Sequence, residues 1–128
     1  MLGYAWPDAL AKAQVAAEII QQQMREIGLK SEETLIEYIG YNSIHGPLAE
    51  ERHVEDLNEV YLRIAVRCAD RQEAAKLGRL FPPLALSGPP FIGGAGRMLE
   101  PRGLLGIWPT LAPRELIEEY IRVSVEES

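Results

Sequence analysis

Residues Glu59 to Ala69 read EVYLRIAVRCA, and the order of their side chains decides what kind of fold this chain adopts. Val60, Leu62, Ile64, Val66 and Cys68 point one way, while Tyr61, Arg63, Ala65 and Arg67 point the other. Strict alternation over this length is a strand with one face on a core and the other largely in water.

Upstream, Trp6-Pro7-Asp8 opens a helix, with Pro7 in its first turn and Asp8 at the positive end of its dipole. Leu10, Ala13, Ala17, Ile20, Met24 and Ile27 then recur at spacings of three and four and form one apolar stripe. Gly28 stops this helix in a left-handed cap. Thr34 to Ile44, TLIEYIGYNSI, has the β-branched and aromatic content of a strand. A polar connection from His45 to Asn58 leads into the alternating strand.

Downstream, Asp70 caps a second helix, and Glu73 completes a capping box with it. Ala74, Leu77, Leu80 and Phe81 line its buried side, and Pro82-Pro83 end it. After a glycine-rich loop, Leu104–Leu111 (LLGIWPTL) reads as an edge or bulged strand because of Pro109. Residues 118–126 alternate as a last strand, with a helix over Arg114–Tyr120 as the competing reading. The expected architecture is α+β: a two-layer sandwich of order α-β-β-α-β-(β), with a mixed or antiparallel sheet and helices on one face. No linker divides the 128 residues, so they are expected to form one domain.

Composition narrows the function classes. The net charge of −6 argues against nucleic acid as a partner, because phosphate recognition needs clustered Lys and Arg. Cys68 is the only cysteine, which excludes an internal disulfide and any cysteine zinc spacing. No apolar run reaches the ~20 residues of a membrane span, and the N-terminus lacks a secretory pattern. A cytoplasmic protein with no membrane partner is the expectation.

Two clusters are candidates for ligand contact. In Ser87-Gly88-Pro89-Pro90-Phe91-Ile92-Gly93-Gly94-Ala95-Gly96-Arg97, successive glycines let backbone N–H groups converge on an anion, with Arg97 adding charge. The loop is no nucleotide fingerprint, since a helix and a diproline precede it and the expected strand follows. The residues singled out here are Ser87, Gly88, Gly93, Gly94, Gly96 and Arg97. The second cluster, Asn42, Ser43 and His45, puts an amide, a hydroxyl and an imidazole at a strand end. A histidine at position 45 suits general-base work near neutral pH, yet no acid partner stands at a fixed spacing. No catalytic residue, metal ligand or cofactor is assigned.

Five stretches in order carry a resemblance. They are Gly3-Tyr4-Ala5-Trp6-Pro7-Asp8-Ala9, Ile39 to Gly46 (IGYNSIHG), Asn58 to Arg67 (NEVYLRIAVR), Ser87-Gly88-Pro89-Pro90 with its glycines, and Trp108 to Leu116 (WPTLAPREL). Together they resemble the C-terminal part of the main domain of the acyclic terpene utilisation, AtuA-like, family. In the glycine loop Ser87 and Pro90 stand where that family has Asn and Ala, and Phe91-Ile92 interrupt the glycines. The resemblance implies a fragment or subunit of a longer protein, linked to catabolism of citronellol- and geraniol-type terpenes or related branched acids. It further implies that the loop belongs to a small-molecule or acyl ligand site completed by an N-terminal region or subunit. The alternative is a non-catalytic scaffolding subunit of an acyl-CoA degradation pathway, acting through Tyr61, Arg63 and Arg67. Either way, apolar surface left for a partner predicts self-association through Trp6, Trp108 or Leu104–Leu111.

Overall fold

The computed structural model describes residues 1–48, 54–93 and 100–125. The alternating segment is strand β3 (Glu59–Arg67), and it lies inside a four-stranded sheet. On one side it pairs antiparallel with β2 (Glu33–Ile39), Ile36 facing Ile64. On the other it pairs antiparallel with β1 (Leu2–Ala5), Leu2 facing Leu62. Two-residue β4 (Ile92–Gly93) closes the far edge against β1, giving the order β2-β3-β1-β4.

Helix α1 (Ala9–Glu26) follows β1, while α2 (Arg71–Gly78) and α3 (Phe81–Ser87) separate β3 from β4. An antiparallel sheet in this strand order, with its helical connections after the first and third strands, is the split βαβ arrangement of ferredoxin-like folds. The α+β class is therefore as expected, with an antiparallel sheet. Strand β1 was not foreseen. It is too short to show a period, yet its Leu2 and Tyr4 are among the most buried side chains.

One core holds the sheet and helices together. Leu2, Tyr4, Val60, Leu62 and Ile64 meet Leu10, Ala13, Ala17, Ile20 and Met24 from α1, and Phe81 and Leu84 from α3. Ala13, Ala16, Ala17 and Ile20 are fully buried, and the three alanines let the helix axis approach the sheet closely. The helix ends as expected. Gly28, at φ +62°, passes its N–H to the Arg25 carbonyl while Leu29 N–H reaches Met24 O, the paired bonds of a Schellman cap.

The start of α1 differs from expectation. Pro7 precedes the helix through a cis bond from Trp6, and Asp8 sits at φ 58°, its carbonyl accepting the Lys12 N–H at 3.0 Å while its side chain caps no N–H. At α2 the expected cap is half formed. Asp70 Oδ1 accepts the Glu73 N–H at 2.8 Å, but the Glu73 carboxylate accepts Lys30 N–H at 2.7 Å instead of turning back. That bond and Lys76 Nζ, also at 2.7 Å, hold the Glu73 carboxyl below its usual range. Of the expected buried side of this helix, Leu80 and Phe81 are buried and Ala74 and Leu77 only half so.

Three further expectations are corrected. Pro82-Pro83 do not end a helix but occupy the first turn of α3, where a missing N–H costs nothing. Strand β2 stops at Ile39, because Gly40 at φ +100° turns the chain out of the sheet. Leu104–Leu111 forms no strand, and residues 118–125 form none either; the four-residue helix α4 (Glu115–Glu118) is the regular element there. These segments have strand composition but no neighbouring strand to pair with, and pairing is what stabilises a strand. Residue 126 lies outside the described residues.

Candidate functional site

Strand polarity decides which candidate residues share a neighbourhood. Pairing of Ile39 with Tyr61, Ala5 with Glu59, and Tyr4 with Ile92 puts the ends of β1 and β2 beside the starts of β3 and β4. The turn carrying Asn42, Ser43 and His45 follows β2, and the segment carrying Ser87, Gly88 and Gly93 surrounds the start of β4. Both therefore lie toward the same end of the sheet. They sit at opposite edges, three strand spacings or roughly 14 Å apart. Gly94, Gly96 and Arg97 fall outside the described residues.

The turn after β2 is held by its backbone. Asn42 N–H donates to Tyr38 O at 3.1 Å and Gly46 N–H to Asn42 O at 2.7 Å. Asn42 and Ser43 are half-buried, while His45 is exposed. Among the described residues, none of the three side chains has a hydrogen-bond partner, so no base is oriented for proton transfer.

The opposite edge is more constructed. Ala5 N–H donates to Phe91 O at 3.1 Å, and Lys12 Nζ donates to Ala5 O at the same length. The same ammonium stands 4.7 Å from the centre of the Phe91 ring, within cation–π range. Phe91 holds φ 59° and Asp8 φ 58°, a conformation that side chains of this kind rarely adopt. Two strained residues therefore flank one lysine, and strain of this kind concentrates at sites that bind or react.

Beside this junction, a shallow groove of about 400 Å³ runs between α1 and the end of α3. Ala11, Val15 and Ile19 form one wall, Ser87, Gly88 and Pro89 the other, and Lys12 stands in the lining. Gly88 is required by close approach: a Cβ there would lie 2.4 Å from the Leu84 carbonyl oxygen. The groove combines an apolar wall with one ammonium and one hydroxyl, a combination that suits an amphiphile with an anionic head. Lys12 and Phe91 were missed in the sequence. Lys12 reads as helix surface and Phe91 as an interruption among glycines, and only the sheet pairing brings them together.

The other end of the sheet carries a second depression, of about 350 Å³, lined by Cys68, Asp70, Arg71 and Pro101 to Leu104. Arg71 bonds Glu100 there at 2.7 Å. Cys68 lies just beyond β3 and is half-buried; burial and then Glu73, Asp70 and Glu32 push its thiol up, making it a poor nucleophile. Among the described residues no three His, Cys, Asp or Glu side chains are grouped to hold a metal ion. No described helix is long and apolar enough to cross a membrane.

Fold and site together define a small α+β domain of split βαβ topology whose strand ends, rather than an internal cavity, carry its polar and strained residues. A family model described as the acyclic terpene utilisation family protein AtuA matches residues 1–123. The chain belongs to that family, and membership implies a role in acyclic terpene utilisation. No curated protein and no solved structure matches it.

Proposed function

We propose that this chain contributes one wall of a ligand site for an acyclic, branched carboxylic acid of the terpenoid catabolic type. The other wall comes from the N-terminal AtuA-like region, on the same chain or a separate one. One observation carries the reading: an apolar groove between Val15 and Pro89 with the Lys12 ammonium in its lining. Aliphatic walls take a branched hydrocarbon, and the ammonium, with two N–H donors beyond the one given to Ala5 O, takes the carboxylate. A CoA moiety fits less well, because its phosphates need more cations than this edge presents.

Citronellic acid titrated into the chain together with the N-terminal region of an AtuA-like protein tests this directly. Binding is expected to weaken by about tenfold or more in Lys12→Gln, the loss of a charged hydrogen bond. Unchanged affinity in that variant overturns the assignment. A second reading, a scaffolding subunit, is favoured by the open sheet face carrying Tyr61, Arg63 and Arg67. Charge reversal at Arg63 then abolishes assembly of the pathway complex while Lys12→Gln does not.

A further inference from the structure

Eleven large apolar side chains between Leu104 and Val125 are exposed. Leu104 lines the depression beside Cys68, but beyond it Leu105, Ile107 and Leu111 are between 95% and 100% accessible and rest on none of the described residues. Burying such side chains removes roughly 60–120 Å² each, on the order of 1,000 Å² for the segment. Monomers rarely expose apolar surface on this scale, and a standard interface uses about 800 Å² per partner.

The described residues of the same chain include an open surface able to receive it. All helices packed on the sheet lie on the face of Leu62 and Ile64. The opposite face presents Leu35, Ile39, Tyr61 and Ala65 between the charged Glu33, Glu37, Arg63 and Arg67, with Arg63 paired to Glu37 at 2.7 Å; Leu35 is half exposed, the other three apolar residues are half-buried, and no described helix packs on this face. From the area it offers and the bare face it matches, we propose that residues 104–125 lie across the outer sheet face of a second copy of this chain. Each copy gives its tail and receives the other's, so the two contacts are related by a two-fold axis and the assembly closes as a dimer. The Arg71–Glu100 ion pair tethers the departing segment at the far end of β3. This inference is independent of the Lys12 groove, and it gives to a second copy the face that a scaffolding role would reserve for another protein.

Sedimentation of the full chain at about 100 µM, above the micromolar limit expected for an interface this size, is predicted to show a dimer. Leu111→Asp, which disables the tail, and Leu35→Glu, which disables the face, each weaken association by about tenfold or more. Both sites are exposed, so the melting of the monomer stays unchanged and unfolding does not explain the loss. The decisive measurement mixes the two variants: Leu35→Glu retains a good tail and Leu111→Asp a good face, so one intact contact restores heterodimer. A monomeric parent chain, a parent dimer insensitive to both substitutions, or a mixture that stays monomeric each overturns the proposal.

Discussion

Residues 1–93 and residues 100–125 spend similar kinds of apolar side chain in opposite ways. In the first region Ile20, Val60 and Leu62 are fully buried, whereas in the second Leu105 and Leu111 are fully exposed. Composition does not separate them. The difference is whether a complementary surface is met within one copy of the chain: α1 lays its stripe on a face of the sheet, whereas Leu105 and Leu111 meet nothing in their own copy among the described residues. Apolar pattern therefore reports a demand for burial, and the partner that meets it has to be found in three dimensions.

The largest effect that tests this contrast falls in the first region. Ile20→Ala empties a site at the centre of the α1–sheet contact and is expected to cost about 2–5 kcal/mol, measured by denaturant unfolding with an unchanged m-value. A loss under about 1 kcal/mol would mean that this region is no better packed than the tail, and the contrast would collapse.

A second test uses pH and the one buried hydroxyl in the same core. Tyr4 is 1% exposed, its hydroxyl finds no hydrogen-bond partner among the described residues, and burial pushes its pKa from 10.0 up to about 12. The folded chain thus keeps the phenol neutral where the unfolded chain ionises it. The stabilisation is complete below pH 10 and is lost as pH rises toward 12, at up to about 1.4 kcal/mol per pH unit. Tyr4→Phe is expected to flatten that slope and leave neutral-pH stability equal or slightly higher, since no bond is broken. Tyr38, raised first by burial and then by Glu18, leaves a residual slope in the variant.

These two tests also mark how far the sequence could be read. The stripe from Leu10 to Met24, the Gly28 cap, the alternation of β3 and the Asp70 cap each depend on near neighbours along the chain and are legible there, although Ile27, expected as the last member of the stripe, is the exposed C-cap. Strand β1 is not, because four residues show no period until β3 pairs with them. The Phe81-Pro82-Pro83 start of α3 was misread because proline both ends and begins helices, and only Leu80 before it shows which applies here. The candidate site was half legible: Ser87 and Gly88 do line the groove, but its cation is Lys12, some seventy-five positions earlier in the chain. Nothing local links them; β1 and β4 do, by pairing.

The smallest effect is the most informative about the tail. Leu105→Ser removes a large apolar side chain that is 99% accessible, so the unfolding free energy at dilute, monomeric concentration is expected to stay within about 0.5 kcal/mol of the parent. Leu62→Ser, chemically the same exchange in β3, leaves a cavity and an unpaired hydroxyl and is expected to unfold the chain at far lower denaturant. Run as a pair by circular dichroism, the two variants hold chemistry constant and vary only the presence of a packing partner. A dilute-solution loss at Leu105 comparable to that at Leu62 would mean that the tail folds onto its own body, and the difference between the two regions would then be one of degree.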